Sequence, residues 1–202
     1  MDFTVLAASG RTGSELVRQA LLRGHTVTAI ARDPARITVA DSPFLRRVAG
    51  DVNDVESITD VIDSDAVVLS ALGTDRAGVL TAGAKAVLAA GPRRLIWLGA
   101  YGTGRSAQAA GEAARSLGAM LGDRLADKVA ADDLVLAAGG TVFHACLLSD
   151  EPESPDRRTV GLADAPPLDF TDKVSRATVA AAMLDEAETP HFYGSVAVPL
   201  SD

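Results

Sequence analysis

Three small residues near the amino terminus, spaced Ala7-x-x-Gly10-x-x-Gly13, outline a seat for a phosphate group. Residues 3–8 are an apolar run that reads as a buried strand. Residues 14–23 carry Leu16, Val17, Ala20 and Leu21 at helical spacing, and Gly24 ends them. A chain that passes directly from strand to helix must bend sharply. Gly10 lets a pyrophosphate approach the backbone, and Gly13 lets the helix pack closely on the sheet. The first N–H groups of that helix lack intrahelical acceptors and share its positive dipole end, so an anion is their natural partner. Ala7 stands where a glycine is usual, and its size is compatible with the bend. Without a ligand the same residues would form an ordinary tight turn.

The second strand ends Ile30-Ala31-Arg32. When such a site holds NAD, an Asp or Glu there takes the ribose hydroxyls. A guanidinium instead pairs with a 2′-phosphate and stacks on adenine. Arg32 therefore favours NADP(H) over NAD(H). Arg11, projecting from the bend, is expected to reach the same phosphate. Each arginine has a plainer reading as a solvated surface residue.

These residues need a frame, and the chain alternates strand and helix along most of its length. Strands are expected over residues 25–31, 44–49, 66–72, 94–98, 141–148 and 192–199, with a short one at 159–162. Helices are expected over residues 55–62, 79–90, 123–138 and 172–186. Residues 99–112, with Gly99, Gly102, Gly104 and Gly111, read as a mobile loop, and residues 150–167 as a long loop rich in Pro and Asp. This order predicts an α/β, Rossmann-like doubly wound parallel sheet with helices on both faces, forming a single domain over 1–202. Ligands of such a sheet bind at the carboxyl ends of its strands.

Composition narrows the partners. The net charge of -8 disfavours nucleic acid and anionic membrane surfaces. No apolar run approaches the length of a membrane span, and the first residues do not resemble a signal peptide, so a cytoplasmic location is expected. Cys146 is the single cysteine and sits in an apolar run, as a buried thiol would. His144 lies on the same run and reads as a core or rim residue.

Four stretches resemble the atypical, extended-type short-chain dehydrogenase/reductase group. The likeness is greatest to its small NAD(P)H-binding members, the NmrA-like proteins and the biliverdin-IXβ (flavin) reductases. They are Ala8-Ser9-Gly10-Arg11-Thr12-Gly13; Val27 through Pro34; Gly50-Asp51-Val52; and Ala66 through Gly73. The resemblance implies cofactor contacts at Gly10, Arg11, Thr12, Gly13, Arg32, Asp51, Val52 and Leu72, with Asp51 on the adenine amino group. It also implies catalytic residues, and here the chain departs from the pattern. The group's Ser after the fifth strand falls on Gly99-Ala100. Its Tyr, four residues before the Lys, falls on Arg124, while the Lys itself matches Lys128. The Arg-Pro pair that often ends strand six is His144-Ala145. Tyr101 is then the candidate for a catalytic or substrate-contacting phenol, or else an ordinary loop aromatic. Lys128 is a cofactor contact, or else a helix lysine paired with Asp132.

Two functions fit. One is an NADPH-dependent oxidoreductase that passes hydride to a planar acceptor such as a flavin or quinone, a reaction that needs positioning more than acid catalysis. The other is a regulatory protein of the NmrA-like type that binds NAD(P)H without turnover. A sugar-nucleotide epimerase is disfavoured, because few residues follow strand six and the Tyr is absent.

Overall fold

The computed structural model describes residues 1–201. Strands β1 (Asp2–Leu6), β2 (Thr26–Ala31), β3 (Leu45–Ala49), β4 (Val67–Ser70), β5 (Arg94–Ala100) and β6 (Thr141–Ala145) alternate with helices. These are α1 (Arg11–Leu22), α2 (Val55–Thr59), α3 (Val79–Ala90), α4 (Ala107–Ala110), α5 (Ala113–Leu121) and α6 (Arg124–Ala137). Then follow β7 (Leu147–Ser149), β8 (Arg158–Gly161), β9 (Lys173–Ser175), α7 (Arg176–Glu188) and β10 (Val196–Leu200). The main sheet has the order β3-β2-β1-β4-β5-β6-β10-β8. Every neighbouring pair in it is parallel except β10 and β8.

Period-two burial assigns each strand residue to one of two cores. Phe3, Val5, Val67, Leu69, Ile96 and Phe143 meet Leu16, Val17 and Ala20 of α1 and Val179, Met183 and Leu184 of α7. Leu6, Ile30, Val68, Trp97 and Val142 meet Ile58 of α2, Leu80 and Val87 of α3, and Ala131 and Val135 of α6. Both faces of the sheet are thus covered, as its near-continuous apolar strands require. The doubly wound arrangement read from the sequence is present. Strand order reverses between β1 and β4, and the bend that follows β1 opens at that switch point.

The structure redraws several boundaries: the strand expected over residues 192–199 starts only at Val196, and the helix expected over 55–62 ends at Thr59. The strand expected over residues 141–148 breaks at Cys146, and β7 leaves the main sheet to pair with β9. The helix expected over 172–186 starts at Arg176, because Ser175 caps it by accepting the Thr178 N–H at 2.9 Å. The glycine-rich stretch after β5 holds a 3-10 turn at Gly104–Ser106 and α4, and α5 follows in residues for which the pattern gave no element. None of α5's residues is fully buried, so it leaves no apolar stripe to read.

Helix α3 shows how the elements lock together. It begins after Gly78, at φ +88°, without a side-chain cap of its own. Asp127 of α6 supplies one by accepting the N–H groups of Leu80 at 3.0 Å and Thr81 at 2.9 Å. Burial alone would raise the Asp127 pKa, but the hydrogen bonds from Thr81 and Leu80 and the amide of Gly78 together lower it.

Candidate functional site

The bend after β1 is more constrained than its sequence suggests. Ala7 adopts φ +61°, the left-handed region that favours glycine. That geometry turns the Ala7 carbonyl to accept the Gly10 N–H at 2.9 Å. A Cβ on Gly13 would lie 2.2 Å from the Ala7 oxygen and 2.9 Å from Ala8 Cα, so only glycine fits. Helix α1 starts at Arg11 with no side-chain cap and no acidic residue in its first turn. The Gly10 carbonyl takes the Ser14 N–H, and among the described residues nothing accepts the N–H groups of Arg11, Thr12 and Gly13. Three amides and a positive dipole end therefore meet at the switch point, an arrangement that fits a pyrophosphate.

Arg32 and Asp51 flank the next part of the site. Arg32 is exposed just beyond the end of β2. The Asp51 carboxyl accepts the Asn53 backbone N–H at 3.0 Å and the Asn53 side-chain amide at 2.9 Å, both on Oδ1. Its pKa is lowered first by the backbone bond, against some burial, then by the Asn53 amide and the positive charges of Arg32 and Arg76. Oδ2 has no hydrogen-bond partner among the described residues. Arg76 was not singled out from the sequence. It has no motif around it, and only the fold sets it beside Asp51.

Arg11 bonds Asp150 at 2.9 Å, and Asp150 also holds Arg176 at 2.5 Å. Arg11 thus stays largely exposed beside the bend, facing the segment after β7.

Val52 and Leu72 form the apolar wall. Val52 is buried, and Leu72 fits a notch in α3 where a Cβ on Gly83 would stand 2.4 Å from Leu72 Cδ2. Gly83 thus sets the position of the wall from within a helix, where glycine is otherwise unfavourable.

At the end of β5 the expected proton-handling groups are differently arranged. Tyr101 is 3% exposed, and its hydroxyl donates to the Pro166 carbonyl at 2.6 Å. Burial first, and then Cys146, raises its pKa. In this arrangement the phenol anchors the segment before β9. To act on a substrate it would have to leave that carbonyl. Arg124, at the usual Tyr position, donates to the Leu121 and Met120 carbonyls and closes α5. The missing serine has a steric reason. A Cβ on Gly99 would lie 2.7 Å from His144 Cδ2 and 3.0 Å from an Asp132 carboxylate oxygen. His144 and Asp132 fill that space.

Lys128 is half-buried on α6 and makes no hydrogen bond or ion pair among the described residues. Burial lowers its pKa, Asp132 opposes that, and Arg124 adds to it. A desolvated, unpaired ammonium is suited to a polar ligand group or to giving up a proton. Among the described residues no group of His, Cys, Asp and Glu could hold a metal ion. No helix among them is long and apolar enough to cross a membrane.

The model of a family described as NAD(P)H-binding matches residues 7–190. The chain belongs to that NAD(P)H-binding family. Its span takes in every residue of the bend, Arg32, Asp51, Leu72 and Lys128, and it bears out the resemblance to NAD(P)H-binding proteins. No curated protein matches the sequence. Similar solved structures include ChuY, an anaerobilin reductase from Escherichia coli O157:H7, at 18% identity and TM-score 0.80 over 100% of this chain and 97% of that one. The oxidoreductase ylbE from Lactococcus lactis is 17% identical, with TM-score 0.81 over 100% and 91%. A short-chain dehydrogenase/reductase from Veillonella parvula, in complex with NADP, is 18% identical, with TM-score 0.78 over 99% and 94%. At these identities the likeness is one of fold.

Proposed function

We propose that this protein is an NADPH-dependent reductase that passes hydride to a planar, electron-poor acceptor such as a flavin, a quinone or an open tetrapyrrole. The observation that carries this reading is at the end of β5, where Gly99 replaces the usual serine and the Tyr101 phenol is held by Pro166. A carbonyl substrate would need a proton donor at that point for its developing alkoxide. A conjugated ring spreads the incoming charge and needs chiefly to be stacked in place. That one structural neighbour is an anaerobilin reductase supports a tetrapyrrole among the acceptors.

When bound, the dinucleotide would supply a hydride, that is, two electrons and one proton. The chain's own residues would do the rest. The Arg11, Thr12 and Gly13 amides hold the pyrophosphate. Arg32, with Arg76 nearby, takes the 2′-phosphate, and Asp51 Oδ2 accepts from the adenine amino group. Val52 and Leu72 exclude water from the adenine side. Lys128 holds the nicotinamide ribose, and its ammonium or solvent returns a proton to the reduced acceptor, so that charge balances.

The test is to follow the NADPH absorbance band with purified protein and FMN, a quinone or biliverdin in turn. Protein-dependent oxidation supports the reductase. Firm NADPH binding with no oxidation across the panel would overturn it in favour of a dinucleotide-sensing regulator.

A further inference from the structure

The side chains of Ser106, His144 and Asp132 form a closed polar chain beneath the end of β5. His144 is 1% exposed and Ser106 0%. His144 Nε2 lies 3.0 Å from Asp132 Oδ2, and Nδ1 lies 2.6 Å from Ser106 Oγ. The composition is that of a hydrolase triad, but the chemistry is not. Ser106 Oγ has no exposure to solvent, accepts the Gly102 N–H at 2.9 Å and reaches the Thr103 carbonyl at 3.0 Å. No substrate carbon can approach it.

The proton inventory shows what the chain does instead. An ionised Asp132 only accepts, so Nε2 carries the proton toward it. Neutral His144 then accepts the Ser106 hydroxyl proton on Nδ1. The Ser106 hydroxyl also accepts the Gly102 N–H, so every polar side-chain atom at this end of the cluster has a partner. It ties together α6, β6 and the turn at 102–106, and its imidazole lies directly against Gly99.

We propose that His144, fixed between Asp132 and Ser106, is a positioning residue that sets the height of the 99–106 segment against the nicotinamide end of the bound cofactor. The inference rests on the reading of the bend as a dinucleotide site and deepens it. The imidazole fills the volume that any side chain on Gly99 would need, with His144 Cδ2 2.7 Å from a Cβ there. It therefore gives the segment a fixed floor.

The test compares wild type with His144→Gln and Ser106→Ala, using 2′,5′-ADP, which fills only the adenine half, and NADPH, which fills both. Far-UV circular dichroism and a thermal melt first establish that each variant is folded. Affinity for 2′,5′-ADP should stay within about twofold, while NADPH should weaken by about tenfold as the 99–106 segment loses its support. With an acceptor that turns over, kcat should fall about 10–100-fold with little change in the acceptor KM, as expected for a misplaced nicotinamide. His144→Asn, which keeps a polar group but not the reach, should not rescue. In wild type, ¹⁵N-histidine NMR should find the neutral ring protonated at Nε2. Unchanged NADPH affinity and kcat in folded His144→Gln overturn the inference and leave the dinucleotide site standing. Absence of wild-type binding to both nucleotides overturns the site and the inference together. NADPH binding that His144→Gln weakens, with no acceptor reduced, supports the inference and sinks only the reductase.

Discussion

Gly13 and the Ala7 carbonyl are packed so closely that a Cβ on the glycine would stand 2.2 Å from the oxygen. The contact is backbone on one side, so it cannot yield by a rotamer change. Gly13→Ala should push α1 off the sheet, destabilise the protein by about 3 kcal/mol and abolish nucleotide binding. Urea unfolding and NADPH titration measure both effects. Ala7→Gly has the opposite sign. Relief of the left-handed backbone outweighs the extra freedom of glycine in the unfolded chain, for a net gain of about 0.5–1 kcal/mol. A lowered melting temperature for Ala7→Gly would show that the strain is not there.

Asp127 and the start of α3 predict a pH dependence. The folded-state pKa is lowered, so the carboxylate's stabilisation is fully present above the ordinary Asp range, near pH 4, and fades as pH falls through the lower folded value. Asp127→Ala leaves the Leu80 and Thr81 N–H groups without their acceptor and should cost about 2 kcal/mol at neutral pH. The difference between variant and wild type should shrink in acid. A difference that is constant from pH 7 to pH 3 would contradict this account.

Arg32 predicts a cofactor preference. Arg32→Glu places a carboxylate beside the expected 2′-phosphate and should weaken NADPH by about 10–100-fold, with NADH changed far less. Arg76→Ala should weaken NADPH by a smaller factor, since that charge acts near Asp51 without a contact of its own. Equal losses for NADPH and NADH on Arg32→Glu would remove the arginine from the 2′-phosphate.

Tyr101→Phe separates anchor from acid. The variant loses the bond to the Pro166 carbonyl and should be less stable by about 1 kcal/mol, with turnover almost unchanged. A large fall in kcat without loss of stability would return the phenol to the reaction.

The amino-terminal half was legible because its signals are local. The bend, its strand and its helix sit within two dozen consecutive residues, and period-two and helical burial patterns survive in the sequence wherever an element has one buried face. The carboxyl-terminal half was less so. Nothing in the order of residues marks Cys146 as the place where a strand changes sheets, or α5 as a helix, because neither is decided by a local apolar pattern.

The sequence by itself determined that an α/β sheet would present a glycine-shaped, amide-lined bend to an anion, with Arg32 at the end of the neighbouring strand. These follow from backbone sterics and hydrophobic period, which act between near neighbours in the chain. Only the tertiary structure decided that Arg11 pairs with Asp150, that the Tyr101 hydroxyl bonds the Pro166 carbonyl, and that His144 and Asp132 fill the space beside Gly99. Each of those pairings joins residues brought together by strand order, and the charge or hydrogen-bond partner that wins is the one the packed core places within reach.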